Sequence, residues 1–184
     1  MTPFPAVFLD RDGTLNADIG YLWQWTDWRW LPGIPESLVR LKEAGLKLIV
    51  VSNQAGIAKG LYSPADVTEL HRQANQDLLT KWNLTLDGLY FCPHHPDYEK
   101  CDCRKPAPGL ILRAASEHNI DLKISYLAGD KLSDVQAGLA AGLKPYLVRT
   151  GHGLLEEPLC PPEITIARDL NEVADLILAN FSRN

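Results

Sequence analysis

The sequence predicts an α/β fold, a single domain spanning residues 1–184 in which a parallel sheet is covered by helices on both faces. Three observations support this prediction. Short apolar runs alternate with longer amphipathic stretches, which is typical of the strands and helices of such a sheet. No repeat, low-complexity segment or linker interrupts the alternation. The length matches one domain and is too short for two of ordinary size.

The apolar runs predict strands because each is short and bounded by polar or turn-forming residues. Several end at a residue that can do chemistry: the first at Asp10, the second at Ser52 and the fourth at Asp130. Ligands of parallel sheets bind beyond the carboxyl ends of the strands, so these positions matter for function. In chain order the predicted strands are residues 6–9, 46–51, 89–91, 126–128, 145–148 and 164–167.

The amphipathic stretches predict helices, and two of them carry clear end signals. Gly45 is placed to end the first helix. The second begins with Ser63 as N-cap, Pro64 at its first position and Asp66 near a capping-box site. We expect residues 151–162 to form a loop. In chain order the predicted helices are residues 35–44, 63–82, 108–118, a segment that ends at 141, and 170–180.

The charge and the apolar pattern exclude some classes of function. Eighteen Lys and Arg against 23 Asp and Glu give a net charge of −5, which argues against a protein that wraps nucleic acid. The longest apolar runs have the length of strands and are far below the roughly 20 residues that span a bilayer. The first cation is Arg11, so no secretory signal is visible. We expect a cytoplasmic monomer that binds neither membranes nor nucleic acid.

Two carboxylates follow the first predicted strand, at Asp10 and Asp12 of the string Asp-Arg-Asp-Gly-Thr. At a sharp Asp-Gly turn they can act as a nucleophile and an acid–base partner. An ordinary strand-ending turn would use the same residue types. Taken alone, the string leaves both interpretations open.

A second acidic group follows the fourth predicted strand, in the string Gly129-Asp130-Lys131 with Asp134 one helical turn later. Asp130 offers Mg²⁺ a hard oxygen ligand. Asp134 can support a metal-bound water or orient Lys131. The alternative is an ordinary helix start, where acids are favoured by the helix dipole.

Two groups could hold a phosphoryl oxygen. Ser52 follows the second strand, where its hydroxyl and nearby N–H groups can bind phosphate, although a simple turn is the alternative. Arg104 and Lys105 offer one forked and one point-like phosphate contact. A solvated basic pair would look the same in isolation.

Three cysteines and a histidine cluster in one loop, and they predict a closed tetrahedral Zn²⁺ site of the structural kind. The ligands are Cys92, His94, Cys101 and Cys103. His94 is favoured over His95 because its spacing from Cys92 matches that between the other two cysteines. A disulfide between Cys101 and Cys103 would be awkward at this spacing. Cys160 is expected to be an ordinary thiol.

Together these motifs resemble those of the haloacid dehalogenase superfamily of phosphatases, in which Asp-x-Asp-Gly-Thr, Ser/Thr, Lys and Gly-Asp follow in this order. The string Cys-Pro-His-His…Cys-Asp-Cys-Arg-Lys-Pro is similar to that of the D,D-heptose 1,7-bisphosphate phosphatase group and its relatives, the histidinol-phosphate phosphatases. The resemblance runs from Phe8 to about Gly151. It implies a Rossmann-like, haloacid dehalogenase-like fold with a zinc-binding loop, and no insertion is long enough for a large cap domain.

The resemblance implies a role for each matching residue. Asp10 is the nucleophile, and Asp12 is the acid and then the base. Mg²⁺ is held by Asp10, the backbone carbonyl of Asp12, and Asp130. Catalysis further uses Ser52 and Lys105, which stabilise the phosphoryl group. Substrate binding falls to Asn53, Gln54, Ala55, Gly56, Arg104 and Lys131.

The resemblance implies a Mg²⁺-dependent phosphatase that removes the C7 phosphate of D-glycero-D-manno-heptose 1,7-bisphosphate, a small phosphorylated sugar, through an aspartyl-phosphate intermediate. Two departures are visible: position 52 is Ser where the heptose group usually has Thr, and the loop between His95 and Cys101 is short, as in histidinol-phosphate phosphatases. Histidinol phosphate is therefore the alternative substrate. A polynucleotide 3′-phosphatase and a zinc-stabilised module without catalysis are weaker alternatives.

The segment 19–30 contains four of the five tryptophans. Aromatic faces of this kind can cover a bound sugar or pack against the domain. We expect packing.

Overall fold

A computed structural model describes residues 2–181; residue 1 and residues 182–184, the ends of the predicted domain, lie outside the described residues. Strands and helices alternate along this part of the chain. The strands are β1 (Ala6–Leu9), β2 (Lys47–Asn53), β3 (Gly88–Cys92), β4 (Tyr126–Gly129), β5 (Lys144–Val148) and β6 (Thr165–Ala167). The helices are α1 (Ile34–Glu43), α2 (Pro64–Trp82), α3 (Gly109–His118), α4 (Leu132–Ala141), α5 (Gly153–Glu156) and α6 (Leu170–Phe181).

All six strands are parallel and form one sheet in the order β3-β2-β1-β4-β5-β6. Strands β2 and β3 are added in turn on one side of β1. The chain then crosses to the other side of β1, where β4, β5 and β6 are added in turn. Strand β1 is therefore central, with Phe8 paired to Ile49 of β2 and to Leu127 of β4. The order reverses between β1 and β4, and open parallel sheets bind ligands at such a reversal.

Alternate side chains of the central strand pack into two separate hydrophobic cores, one on each face of the sheet. Val7 and Leu9 pack on one face with α1, α2 and α6, whereas Ala6 and Phe8 pack on the other face with α3 and α4. All four side chains are fully buried. This explains why β1 is apolar at every position and does not alternate with polar residues.

The predicted elements are confirmed within one or two residues at most boundaries, which is the usual uncertainty of helix and strand ends. The capping box of α2 is present: the Ser63 hydroxyl accepts from the Asp66 N–H at 3.2 Å, and the Asp66 carboxylate accepts from the Ser63 N–H at 2.7 Å. Gly45, just after α1, has a φ of 89° and so occupies the left-handed conformation expected of a helix stop.

The prediction of a loop over residues 151–162 is wrong, because the structure has α5 and a 3₁₀ turn at Glu157–Leu159 in this segment. The helix leaves no apolar pattern in the sequence, since Leu154 and Leu155 are 64% and 78% exposed. Its start lies directly against the end of β5, where a Cβ at Gly153 would collide with the carbonyl of Val148.

The tryptophan-rich segment packs against α2, as expected. Trp28 is buried beside Leu22 and two residues of α2, Leu70 and Ala74, with Trp25 and Trp30 packed against this cluster. Between residues 2 and 181 no insertion forms a large cap, and no helix there has the length and apolarity to cross a membrane.

Candidate active site

The predicted catalytic residues converge at the carboxyl ends of the central strands. Asp10 follows β1, Asp130 follows β4, and Ser52 is the second-last residue of β2. Asp10 and Ser52 line a narrow cavity of about 40 Å³. Its lining residues are Asp10, Asp12, Ser52, Asn53, Lys105, Lys131, Ser133 and Asp134.

Lys105 joins two of the carboxylates in the floor of this cavity. Its Nζ lies 2.6 Å from Asp10 Oδ1, 2.6 Å from Asp134 Oδ1 and 2.7 Å from the carbonyl of Val51. Burial alone would lower the pKa of Lys105, but the two carboxylates raise it above its usual value. Lys105 therefore stays a cation while fully buried, beside the predicted nucleophile.

Asn53 fixes the backbone that carries this lysine. Its side-chain amide donates to the Lys105 carbonyl at 3.0 Å and accepts from the Lys105 N–H at 3.1 Å. A loop 52 residues later in the chain is thereby tied to the end of β2. Asn53 lines the cavity as expected, but its amide serves the lysine backbone.

Asp134 is oriented towards Lys105, not towards the Lys131 side chain. One oxygen pairs with Lys105, and the other accepts from the Lys131 N–H at 3.0 Å, which caps α4. The interpretation as a helix start therefore accounts for only one oxygen of Asp134. The other oxygen pairs with Lys105, which lies 29 residues earlier in the chain and was not predicted to be its partner. Position 129 must be small, because a Cβ there would collide with the Asp134 side chain.

Asp130 is held in a narrow slot between two glycines. A Cβ at Gly13 or at Gly151 would collide with its Oδ2, which accepts from the His152 N–H at 2.8 Å. Its Oδ1 is buried and has no hydrogen-bond partner among the described residues. Burial, followed by the nearby Asp10 charge, raises the pKa of Asp130 well above its ordinary value.

These features fit a hard divalent cation. One carboxylate oxygen each from Asp10, Asp130 and Asp134 lie within 4.8 Å of one another, and all three residues are buried. Buried carboxylates in this number repel one another unless a cation is shared between them. An unpartnered oxygen on Asp130 and an all-oxygen donor set are what Mg²⁺ requires.

Asp12 is the most heavily hydrogen-bonded carboxylate of the site. The buried guanidinium of Arg11 donates to it in a fork, with the shortest distance 2.7 Å from Nη2 to Oδ2. Asn16 Nδ2 donates to Oδ1 at 3.0 Å, and Gln54 Nε2 donates to Oδ2 at 3.0 Å. The role of Arg11 was not predicted from the sequence, because a buried cation beside a carboxylate gives no separate signal along the chain.

The remaining predicted substrate residues lie at different distances from the cavity. Lys131 lines it, with its Nζ 3.5 Å from Asp18 Oδ2. Arg104 lines a neighbouring cavity of about 560 Å³ together with Lys100 and donates to the His94 carbonyl at 3.1 Å. Ala55 and Gly56 lie in the turn after β2, outside the lining of the small cavity.

The predicted zinc ligands form a compact cluster. Cys92 Sγ lies 3.2 Å from Cys103 Sγ and 3.7 Å from Cys101 Sγ, and His94 Nδ1 lies 3.3 Å from Cys103 Sγ. A tetrahedral site with metal–sulfur bonds of about 2.3 Å has edges of about 3.8 Å, close to these separations. His95 lies outside the cluster and stacks near Tyr98 at 4.8 Å. The four side chains therefore fit a Zn²⁺ ion.

The chain is similar to known proteins along nearly its full length. A HAD-hydrolase-like family model matches residues 102–173. The D-glycero-beta-D-manno-heptose-1,7-bisphosphate 7-phosphatase of Yersinia pestis is 42% identical over 179 residues, covering 94% of this chain and 93% of that protein. The protein of the same name from Helicobacter pylori is 44% identical over 173 residues, covering 94% and 96%.

A solved structure agrees with these sequence relatives. The crystal structure of D,D-heptose 1,7-bisphosphate phosphatase from B. bronchiseptica, complexed with magnesium and phosphate, is 33% identical and superposes with a TM-score of 0.88. The match covers 96% of this chain and 99% of that one.

Proposed function

This chain belongs to the D-glycero-beta-D-manno-heptose-1,7-bisphosphate 7-phosphatase family of haloacid dehalogenase-like hydrolases, and we propose that it removes the C7 phosphate of that sugar and leaves the C1 phosphate in place. The observation that carries the proposal is the arrangement of Asp10, Asp12 and Lys105 at the reversal of strand order. The relatives' names specify the beta anomer, and we propose the same anomer here.

The two aspartates of the first turn have separate roles in this proposal. A carboxylate oxygen of Asp10 attacks phosphorus, the bond from phosphorus to the sugar oxygen breaks, and Asp12 gives that oxygen a proton. Asp12 then takes a proton from water as the water oxygen attacks phosphorus and the bond to Asp10 breaks. Inorganic phosphate leaves, and Asp12 regains the proton it gave up.

Lys105 and Ser52 stabilise the phosphoryl oxygens in both steps. The Lys105 ammonium lies 2.6 Å from Asp10, so its positive charge is fixed beside the attacking atom before the substrate binds. A charge that is already in place costs no reorganisation when negative charge develops on the phosphoryl group. Ser52 adds a neutral donor from the end of β2.

We propose that Asp10, the backbone carbonyl of Asp12, and Asp130 hold Mg²⁺. When bound, the ion neutralises the negative charge that the nucleophile shares with the phosphoryl group. The unpartnered Oδ1 of Asp130 supports this assignment. Glycine at positions 13 and 151 leaves room for the other oxygen of Asp130, since a Cβ at either position would displace the carboxylate.

We propose that Cys92, His94, Cys101 and Cys103 hold a structural Zn²⁺. Four protein ligands leave no open position for water, so the ion would stabilise the loop and take no part in the chemistry. The loop carries Arg104 and Lys105, and Arg104 is already bonded to the His94 carbonyl. The zinc site would thus fix two cations at the entrance and the floor of the active site.

Arg104 and Lys131 are proposed to recognise the sugar phosphate. The large cavity beside Arg104 adjoins the small catalytic cavity, since Lys105 lines both. A substrate with phosphates at its two ends could place one in each cavity, and Asn53, which lines the small cavity, would border the bound phosphoryl group. We also propose that the enzyme works as a monomer in the cytoplasm, the compartment in which a charged sugar phosphate would reach it.

A comparison of hydrolysis rates tests the function. The substrates are heptose 1,7-bisphosphate in both anomers, fructose 1,6-bisphosphate, histidinol phosphate and a 3′-phosphorylated DNA end. We expect the highest kcat/KM for the beta heptose bisphosphate, with release of one phosphate per molecule. The short loop between His95 and Cys101 favours histidinol phosphate as the second candidate, and a higher kcat/KM for that substrate would replace the assignment.

A further inference from the structure

The side chain of Gln54 lies at the centre of a buried hydrogen-bond network behind the catalytic cavity. The residue is 2% exposed. Its Nε2 donates to Ser52 Oγ at 2.7 Å and to Asp12 Oδ2 at 3.0 Å. Its Oε1 accepts from Tyr62 at 2.8 Å and from Arg11 Nη2 at 3.3 Å.

These four contacts use the whole hydrogen-bonding capacity of the amide. A glutamine side chain has two donor hydrogens and two acceptor lone pairs, and each of them has a protein partner here. The amide therefore has nothing left to offer a substrate. Its orientation is also fixed, because Arg11 can only donate, so the amide atom that faces it must be the oxygen.

The hydrogen bond from Gln54 to Ser52 restricts the direction of the serine O–H. Because Ser52 Oγ accepts from Gln54, the serine's own O–H is directed away from the amide. The serine lines the small cavity together with Asp10 and Lys105, so its own donor remains available for a phosphoryl oxygen bound there. A hydroxyl without that partner could rotate and accept or donate elsewhere.

Tyr62 anchors the amide from the side away from the cavity. It is 7% exposed and packs so closely on the turn after β2 that a Cβ at Gly56 would collide with its ring. This contact gives Gly56 a role that does not involve the substrate. The turn 54–56 is thereby held on one side by Tyr62 and on the other by β2.

We propose that Gln54 is a positioning residue: it directs the Ser52 hydroxyl at the phosphoryl group and holds the Asp12 carboxylate, and its side chain makes no contact with substrate. This inference rests on the proposed phosphatase function and changes the role expected for Gln54 from substrate binding to orientation of two other residues. Arg11 and Tyr62 fix the amide in turn.

The test uses an aryl phosphate, whose leaving group needs no proton and which has no sugar to recognise. For this substrate kcat/KM reports the first phosphoryl transfer. We expect Gln54→Met, which keeps the volume and removes the amide, to lower kcat/KM about 30-fold, a fraction of the 10²–10³-fold cost of deleting an oxyanion donor. Gln54→Glu keeps the acceptors for Tyr62 and Arg11 but loses the donors, and we expect a loss of similar size.

A double-mutant cycle separates positioning from other roles. In a Ser52→Ala protein the hydroxyl to be oriented is gone, so Gln54→Met should lower kcat/KM at most about fivefold. Asn75→Leu is the matched control: it removes a half-buried amide of α2 that accepts from the Leu86 N–H, and it should lower the melting temperature but leave kcat/KM unchanged.

Two outcomes would overturn the inference. One is full activity of both Gln54 variants on the aryl phosphate, which would show that the amide does not position Ser52 for phosphoryl transfer. The other is an equal loss in the wild-type and Ser52→Ala backgrounds. A wild-type protein that hydrolyses the aryl phosphate but not the heptose bisphosphate would contradict the proposed substrate alone and leave the cycle measurable.

Discussion

At the scale of single residues, the site separates two carboxylates that are only two positions apart. Asp10 faces a buried ammonium and belongs to the acidic cluster, whereas Asp12 faces a guanidinium and two amides. Two carboxylates with different charged and hydrogen-bonding partners can take different roles in one reaction. Asp10 is beside charges that accompany a phosphoryl group, and Asp12 is beside donors that hold a carboxylate in a fixed place.

This separation predicts distinct phenotypes for the two aspartates. Asp12→Ala should be nearly inactive on the sugar phosphate, because losing a general acid–base group costs roughly 10²–10⁴-fold. On an aryl phosphate its first step should be partly rescued while its second step still lacks a base, so the phosphorylated protein should accumulate. Asp10→Asn should form no adduct with either substrate.

Intact-mass measurement after rapid acid quench reads the adduct directly. Turnover by Asp10→Asn, or release of the aryl alcohol by Asp12→Ala without an adduct, would show that the roles are assigned wrongly.

A second residue-scale prediction concerns His71, which is 4% exposed on α2. Burial, with a smaller effect of the Arg11 charge, lowers its pKa to about 3, against about 6.5 in the unfolded chain. Below pH 6.5 the unfolded chain therefore binds more protons. The stability that a neutral His71 provides is complete above this pH and is lost as the pH falls towards 3.

At pH 5 this one group should lower the free energy of unfolding by about 2 kcal/mol relative to pH 7.5. Urea unfolding at both pH values gives the free energy of unfolding of wild type and of His71→Leu. The variant is the reference because all other titratable groups are the same in the two proteins. The wild type should lose about 2 kcal/mol more than the variant. A difference between the two proteins that is the same at pH 5 and pH 7.5 would refute this.

At the scale of elements, the sequence predicts what local pattern determines and misses what distant contacts determine. The strands, the capping box of α2 and the four-residue Cys/His cluster follow from spacing along the chain, and all are present. Helix α5 is missed because its exposed leucines carry no periodic signal. The Asp134–Lys105 pair and the Gln54 network are missed because their partners come together only in the folded sheet.

The Cys/His loop gives an element-scale prediction. If the cluster binds zinc as proposed, Cys101→Ser should lose the ion, lower the melting temperature, and lower kcat/KM roughly 10- to 100-fold, because a misplacement of about 1 Å near the chemistry costs that much. Cys160→Ser is the matched control, since Cys160 is a free half-buried thiol outside the cluster. Zinc content by mass spectrometry, melting and kinetics are measured on the same samples.

If Cys101→Ser contains no zinc yet melts and turns over like the Cys160→Ser control, the loop does not depend on the metal.

At the scale of the whole molecule, the acidic cluster connects ligand binding with global stability. Three buried carboxylates share one crevice, with Lys105 paired to two of them. The repulsion that remains is part of the folding free energy. A cation that binds only the folded state removes it and stabilises the entire chain.

We therefore expect Mg²⁺ to raise the melting temperature. At a concentration 100-fold above Kd the gain is about 2.7 kcal/mol, which for a chain of this size is roughly 5–10 °C. Asp130→Asn should show little of this shift. The melting temperatures of wild type and Asp130→Asn are measured with and without Mg²⁺. Ca²⁺ and KCl serve as controls for ion type and ionic strength.

A melting temperature that rises equally in wild type and Asp130→Asn would place the ion elsewhere.

The strand order has a consequence for how the chain is made. During synthesis β1, β2 and β3 emerge first and can pair, but β4, the other neighbour of β1, is complete only at residue 129. Until then the strand that is most buried in the finished protein is an open edge, and open edges invite pairing with other chains. Nascent chains stalled after 120 residues should accordingly bind a hydrophobic dye more strongly than chains stalled after the full sheet has left the ribosome. The edge of β1 that later pairs with β4, beside Asp10 and Asp130, is therefore exposed to other chains until β4 has emerged.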